Sequence, residues 1–252
     1  GLYFQNGQPE SEPFHHDEEK FVIGCYFENC NGIQSNSLGT CIYSLSYKLE
    51  INTTVFKDND DGESFLYIKM DDDGISPILN QNIFDNSARS MYIECKSVLN
   101  ISNCVFENDY NFQLKSLFSL ENLKTEGTII DNCTFQTSNH GILAFSYQYD
   151  LHTIFHQCTI RNIDGGLYGS PGIRVGGNSR ITISNCSFIN LTSQNRGSAI
   201  RCENAVHCLI DGCNFINNSA IRPDIDYQYD GYGGAIYVMQ HHNITIRNNY
   251  FY

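Results

Sequence analysis

The stretch Ile181-Thr182-Ile183-Ser184-Asn185-Cys186-Ser187-Phe188 changes the parity of its apolar residues halfway along. Its two isoleucines share one parity, while the cysteine and the phenylalanine share the other. A single strand alternates its side chains strictly between two faces, so the chain must bend at Ser184-Asn185. Asn tolerates the left-handed backbone conformation at small cost. The stretch therefore predicts two short strands joined by a tight corner.

The same phrase returns about every 28 residues along the chain, which is typical of a solenoid. In seven copies the residue before the cysteine column is Gly, Asn or Gln, at positions 24, 103, 132, 157, 185, 212 and 248. Each is expected to form the corner. Aligned on the residue that closes the phrase, the repeats are anchored at Phe27, Phe56, Phe84, Phe106, Phe135, Ile160, Phe188, Phe215 and Phe251.

A third short phrase, a small residue followed by an apolar one, precedes the anchors by 16 and 15 positions. Three strands and three bends per repeat predict an all-β fold, a single-stranded right-handed parallel β-helix of about nine rungs. A leucine-rich or helical solenoid is disfavoured because no helical periodicity lies between the strand phrases. The copies of the third phrase are Ser90-Met91, Ser119-Leu120, Ala144-Phe145, Gly172-Ile173, Ala199-Ile200 and Ala235-Ile236.

The ends and the bulk composition set the domain organisation. Leu2-Tyr3-Phe4-Gln5 resembles the remnant of a protease-cleavable tag, so residues 1–17 are interpreted as a tag and polar tail, and 18–252 as the β-helix. Because the chain stops directly after an anchor, we expect a fragment of a longer protein or a last rung covered by a partner. The net charge of -13 argues against nucleic-acid binding. No apolar run is long enough for a transmembrane segment.

Eleven cysteines suggest either a disulfide framework or a structural column. Several lie two residues before an anchor, at one inward-facing position, where stacked thiols behave as small hydrophobes. We predict a mainly reduced ladder there. A zinc site at Cys202, His207, Cys208 and Cys213 is the alternative, disfavoured because Cys-x-x-Cys pairs are missing. The ladder on consecutive rungs comprises Cys104, Cys133, Cys158, Cys186 and Cys213.

Seven Asn-x-Ser/Thr sequons are present, and some of them arise from the Asn residues of the repeated phrase. Asn132 and Asn185 occupy the corner, where side-chain amides of successive rungs can bond to one another. Asn52, Asn100 and Asn243 lie between inward-facing residues and are the better glycosylation candidates. The sequons favour an extracellular or cell-surface location.

A duplicated phrase is the main binding hypothesis. Tyr147-Gln148-Tyr149-Asp150 recurs as Tyr227-Gln228-Tyr229-Asp230, in the longer connections of the coil. Exposed Tyr with Asp suits recognition of a sugar or a protein, although the tyrosines can instead pack back on the coil. The predicted ligand-binding residues are Tyr147, Tyr149, Asp150, Tyr227, Tyr229 and Asp230.

Two acidic loops offer oxygen ligands for calcium, although such loops are more often merely solvated. No other cofactor is expected. The weak calcium candidates are Asp58, Asp60, Asp61, Asp71 and Asp73.

Parallel β-helices often carry polysaccharide lyases and hydrolases, whose sites need acids and bases converging on one face. Residues at equal distance from the anchor become neighbours, and no such convergence is evident in the aligned columns. The C-terminal repeats concentrate four arginines without a repeated acidic partner: Arg174, Arg180, Arg196 and Arg201.

Two phrases carry a family resemblance. Gly233-Gly234-Ala235-Ile236 and Phe215-Ile216-Asn217-Asn218 resemble the GGA-[ILV] and F-x-x-N motifs of polymorphic outer-membrane-protein repeats. Gly197-Ser198-Ala199-Ile200 is a near match, whereas most copies read Phe-x-Asn. The resemblance implies a right-handed β-helix displayed outside the cell and used for adhesion to a host or cell-surface glycan or protein. The hypotheses are thus a non-catalytic interaction module, a carbohydrate-active enzyme (lyase or glycoside hydrolase), or a spacer.

Overall fold

The computed structural model describes the parts of the chain that form the coil, and all regular elements in them are β-strands, numbered β1 to β27 in chain order. The described residues are 19–28, 42–45, 48–57, 66–69, 77–85, 91–94, 98–107, 128–136, 142–146, 152–165, 172–177, 179–194, 196–221, 233–239 and 243–252.

Two parallel sheets of nine strands form the first and second faces of the coil. The first face consists of β1 (Glu19–Ile23), β4 (Lys48–Asn52), β7 (Ile78–Asn80), β10 (Leu99–Ser102), β12 (Thr128–Asp131), β15 (His152–His156), β18 (Arg180–Ser184), β22 (His207–Asp211) and β26 (Asn243–Arg247). The second face consists of β2 (Tyr26–Glu28), β5 (Val55–Lys57), β8 (Ile83–Asp85), β11 (Val105–Glu107), β13 (Thr134–Gln136), β16 (Thr159–Arg161), β19 (Ser187–Ile189), β23 (Asn214–Ile216) and β27 (Tyr250–Phe251).

The third face is divided between a three-stranded and a four-stranded sheet. A two-stranded sheet of β20 (Thr192–Ser193) and β24 (Ser219–Ala220) lies beyond the second face. The three-stranded sheet holds β3 (Ile42–Leu45), β6 (Leu66–Lys69) and β9 (Met91–Glu94). The four-stranded sheet holds β14 (Ile142–Ser146), β17 (Ile173–Gly177), β21 (Ile200–Glu203) and β25 (Ile236–Met239).

The predicted parallel solenoid is therefore confirmed, but the number of complete rungs is smaller than the nine expected. Within the described residues the third face has no strand in the first turn (β1, β2) or in the fifth (β12, β13). The uninterrupted three-sided coil extends over four turns, those of the four-stranded sheet. The third phrase has only two residues and is preceded by connections of varying length, so it predicts strand formation less strictly than the anchor phrase does. The copy at Ala144-Phe145 is out of register by three residues, because Ile142 and not Phe145 pairs with Ile173.

The corners behave as the repeat predicts. Between the first and second faces, all seven predicted corner residues have positive φ, for example 54° at Asn103 and 65° at Gly212. Thr53 and Gln81 take the same conformation in turns where the cysteine is replaced. A second corner, two residues after the anchor, uses Asn162, Asn190 and Asn217.

The anchors form one inward column with the predicted register, from Phe27 opposite Phe56 to Phe215 opposite Phe251. Consecutive rings stack with centroids 4.7 to 5.1 Å apart. Ile160 separates the stack into two runs, because an aliphatic side chain fills the position between Phe135 and Phe188. This column is the centre of the core, and it fixes the register of both nine-stranded faces.

The five ladder cysteines lie fully buried beside the anchors as free thiols. Each thiol donates to the carbonyl oxygen two residues earlier, as in Cys104 to Ser102 at 3.2 Å and Cys158 to His156 at 3.3 Å. Hydrogen bonding to Cys104 and Cys158, together with burial, raises the pKa of the Cys133 thiol. A thiol in this environment packs as a small hydrophobe.

Candidate functional site

The structure places the sequence-predicted site residues unevenly. Both tyrosine phrases and both acidic loops lie outside the described residues, so their binding roles stay predictions. Of the three glycosylation candidates, Asn243 is exposed, Asn100 is half-buried, and Asn52 has its Oδ1 atom buried without a hydrogen-bond partner.

Side-chain amides at the corners bond from turn to turn, as predicted for Asn132. Its Nδ2 donates to Oδ1 of Asn103 at 2.7 Å, and Asn103 donates in turn to Asn80 at 2.9 Å. A second ladder joins Asn190 to Asn162 at 3.0 Å. These amides stabilise the corners by bonding between turns. Asn132 and Asn190 therefore have a structural role that explains their presence without glycosylation.

An outward column of cationic and hydrogen-bonding side chains follows the first face over four turns. His152, Arg180, His207 and Asn243 are register partners, each at the start of its strand. Together with Thr182 and Val206 they line an open groove of about 500 Å³. A ring nitrogen of His152 lies 3.3 Å from the Thr182 hydroxyl. The groove is therefore built from several consecutive turns, and its polar side-chain atoms are set among a larger apolar surface.

A second cluster lies on the outside of the third face. Arg174, Arg201 and Tyr237 occupy successive positions in register. One carboxylate oxygen of Glu203 accepts from Arg201 at 2.6 Å, and the other accepts from Arg174 at 3.3 Å. The Glu203 side chain is only 11% exposed, so its charge is well shielded from water. A buried carboxylate needs such partners, because burial without them is costly.

A third arginine completes this cluster. The Arg196 guanidinium lies 5.1 Å from the centre of the Tyr237 ring and donates to the Tyr237 hydroxyl at 2.9 Å. The hydroxyl in turn donates to the Met239 sulfur at 3.2 Å. The third-face cluster therefore holds three guanidinium groups and one carboxylate, a positive balance in a chain whose net charge is -13.

One turn of the chain connects the third-face cluster to the groove. Strand β21 ends at Glu203, the chain turns at Asn204 with a φ of 59°, and β22 begins at His207. Six residues define this surface, which is named the basic corner: His152, Arg174, Arg180, Arg201, Glu203 and His207.

The sequence contains signals for this site that were missed when residues at equal distance from the anchors were compared. Arg201 and Glu203 share strand parity, which predicts that they contact on the same face. His152, Arg180 and His207 each lie eight residues before an anchor. Glu203 is the acidic partner that the arginines lacked in the sequence, and it serves two of them because they come from neighbouring turns.

The arrangement suits anion binding. Guanidinium groups recognise carboxylate, sulfate and phosphate through charge-assisted and often bidentate hydrogen bonds. Histidine adds a charge that depends on pH near neutrality. Within the described ranges no group of three or more His, Cys, Asp or Glu side chains is placed to hold a metal ion. The same ranges contain no helix long and apolar enough to cross a membrane.

The comparisons with known proteins identify the class of fold. Residues 146–252 match the family described as right handed beta helix region, which covers the basic corner and all of the four complete turns except most of β14. The coil is right-handed, as predicted. That family spans surface adhesin-like proteins and carbohydrate-active enzymes, so the match itself does not name an activity. Searches of curated proteins and of solved structures gave no significant match.

Proposed function

We propose that the chain is a non-catalytic interaction module of a secreted or cell-surface protein, and that its basic corner binds an acidic glycan. The observation that carries the proposal is the in-register column of His152, Arg180, His207 and Asn243 on consecutive turns. The resemblance of the last turns to outer-membrane adhesin repeats supports the surface location and the adhesive role.

The regular spacing of the coil suits a linear partner. Neighbouring strands of a sheet lie about 4.8 Å apart, so the column offers a donor at each step along the coil axis. A polymer lying in the groove contacts several turns at once, and many weak contacts then sum to a useful affinity. Because the groove is open, a polysaccharide can bind along its length and does not have to insert a free end.

Charge favours an anionic partner at this place and disfavours it elsewhere. The whole chain carries a net charge of -13 with its histidines neutral, whereas the basic corner holds three arginines and two histidines around a single carboxylate, Glu203. At physiological salt, charges more than about 8 Å apart on a surface are largely screened, so the local cluster dominates the final contacts. Only an acidic ligand that reaches the corner gains from it.

The test is a binding measurement with an acidic and a neutral polysaccharide, polygalacturonate and unsubstituted dextran, using the protein and the variant Arg180→Gln. Loss of a charge-assisted hydrogen bond costs about 1.5–3 kcal/mol, which corresponds to roughly tenfold or more in Kd. We expect binding to polygalacturonate alone, weakened by that factor in the variant and by added salt.

The matched control is Arg247→Gln, since Arg247 is an exposed arginine of the same face that donates to Asp211. Its replacement is expected to leave the affinity unchanged. Equal loss in both variants would indicate a general charge effect and would contradict a defined site. Equal binding of dextran would contradict an anion-specific one.

A carbohydrate-active enzyme is the second candidate, and the pair of groove histidines favours it. His152 and His207 lie on strands separated by β18 in a groove with an arginine, and imidazole is the common acid–base group near neutral pH. Incubating the bound glycan with the protein and measuring new reducing ends distinguishes the two functions. Turnover that disappears in His207→Gln would replace the binding proposal with this one.

A further inference from the structure

Two cysteines contact each other inside the turn that carries Glu203 and His207. Cys202 belongs to β21 on the third face and Cys208 to β22 on the first face, and both side chains are fully buried. Their sulfur atoms lie 2.9 Å apart. Because the two strands belong to different faces and both side chains point inward, the thiols approach each other across the interior of the corner.

The repeat provides an internal comparison for this pair. The register partners of Cys202 are Val175 and Val238. The partners of Cys208 are Ile181 and Ile244. Both neighbouring turns therefore pair a valine with an isoleucine at these two positions. Both positions change to cysteine together, in one turn, and the two sulfurs that result are in contact.

We propose that Cys202 and Cys208 form a disulfide bond when the chain folds in an oxidising compartment, tying the third face to the first. The bond forms as the two thiols give up two protons and two electrons to a low-molecular-weight disulfide, such as oxidised glutathione, which is reduced to two thiols. The sulfurs need to approach by about 0.9 Å to reach the usual bond length. Oxidising compartments are where such bonds persist.

The ladder cysteines differ in geometry. Cys158 and Cys186 lie at equivalent positions on consecutive parallel turns, so their side chains point in the same direction rather than toward each other. Their thiols donate to carbonyl oxygens of His156 and Ser184, both at 3.3 Å. The ladder is expected to stay reduced under the conditions that oxidise the corner pair.

Burial determines when the bond can form. Hydrogen bonding to Cys208 and burial raise the pKa of the Cys202 thiol well above its ordinary value. The thiolate is the reacting species in exchange, so the folded protein is a poor substrate. Oxidation therefore belongs to folding, before the corner closes. This inference is independent of the proposed glycan binding, because it concerns the interior of the corner.

The experiment refolds the full chain in a glutathione redox buffer, blocks remaining thiols with N-ethylmaleimide after denaturation, and maps the peptides by mass spectrometry. A protease that cleaves after acidic residues separates Cys202, Cys208 and Cys213, because Glu203 and Asp211 lie between them. We expect the peptides of Cys202 and Cys208 to be joined until reduction, with Cys213 alkylated. Alkylation of all three, or a link from Cys202 to Cys213, would overturn the proposal.

Two variants keep the test independent of folding yield. The double variant Cys202→Val/Cys208→Ile reproduces the pair found in both neighbouring turns, and we expect it to fold with a Tm less sensitive to reductant than that of the parent. Cys186→Ser is the ladder control and is expected to keep the joined peptides. A parent Tm no more sensitive to reductant than that of the double variant would count against a tie at this corner.

Discussion

Phe106 and Phe135 stack face to face on consecutive turns, with ring centroids 4.7 Å apart and planes inclined by 2°. They are register partners in the neighbouring strands β11 and β13, and both are almost fully buried. Because each ring is held between the turns above and below, the anchor column couples neighbouring turns as well as filling the core. Stability of a solenoid is approximately a sum of such nearest-neighbour terms.

Truncation inside this column is expected to be costly. Phe135→Ala removes a fully buried ring and leaves a cavity, which lowers the free energy of unfolding by about 3–5 kcal/mol. Phe251→Ala is the matched control, since its ring ends the stack and the residue is 57% exposed. Urea denaturation followed by circular dichroism measures both. Similar losses in the two variants would contradict the central role of the inner rings.

The third-face corner at Gly172 has no room for a side chain. A Cβ atom at this position would overlap the backbone carbonyl of Ala199 in the next turn. Gly172→Ala therefore requires backbone movement, and we expect a loss well above 1 kcal/mol in the same denaturation assay.

Gly24→Ala is the control for that substitution. Gly24 has a φ of 63° but nothing within 4 Å of the added atom, so only the left-handed conformation is penalised, by about 1–2 kcal/mol. If Gly24→Ala proves the more damaging of the two, steric crowding is not what selects glycine at position 172.

Asn103 combines a left-handed backbone with two ladder hydrogen bonds, to Asn80 and from Asn132. Asn103→Gly keeps the backbone conformation and loses only the ladder bonds, worth about 1 kcal/mol each. Asn103→Ala also loses the preference for positive φ, about 1–2 kcal/mol more. We expect the order wild type, Gly, Ala in thermal melts. A glycine variant as stable as wild type would show that the ladder contributes nothing.

Asp211 provides a prediction about pH. Hydrogen bonds from the Arg247 guanidinium and the Asn248 amide hold the pKa of the Asp211 carboxyl below its ordinary value. A lowered folded-state pKa favours the folded protein above the unfolded pKa, and this contribution is lost as pH falls through the folded value. NMR titration of the carboxyl carbon is expected to show the low pKa in the wild type. In Arg247→Gln the pKa should return toward the ordinary value, and no change would contradict the pairing.

Much of the coil was predictable because its information is local. The alternation around Ser184-Asn185 requires a corner, and the recurring anchor phrase sets the register that the second face shows from Phe27 to Phe251. Left-handed corners at Asn103 and Gly212 follow from residue type alone. The third face was less predictable, because the connection from each anchor to the next third-face strand varies in length, being short from Phe84 to β9 and long from Phe215 to β25.

The sequence by itself determined the repeat, the parallel stacking, the inward anchors and the corner residues, since each depends on residues close together in the chain. Tertiary structure alone decided that Glu203 also reaches Arg174 of the neighbouring turn, and that the sulfurs of Cys202 and Cys208 lie 2.9 Å apart. Those contacts depend on how far side chains reach between turns or across a corner. The distances between side chains of different turns or faces depend on the three-dimensional path of the backbone, which no local sequence pattern specifies.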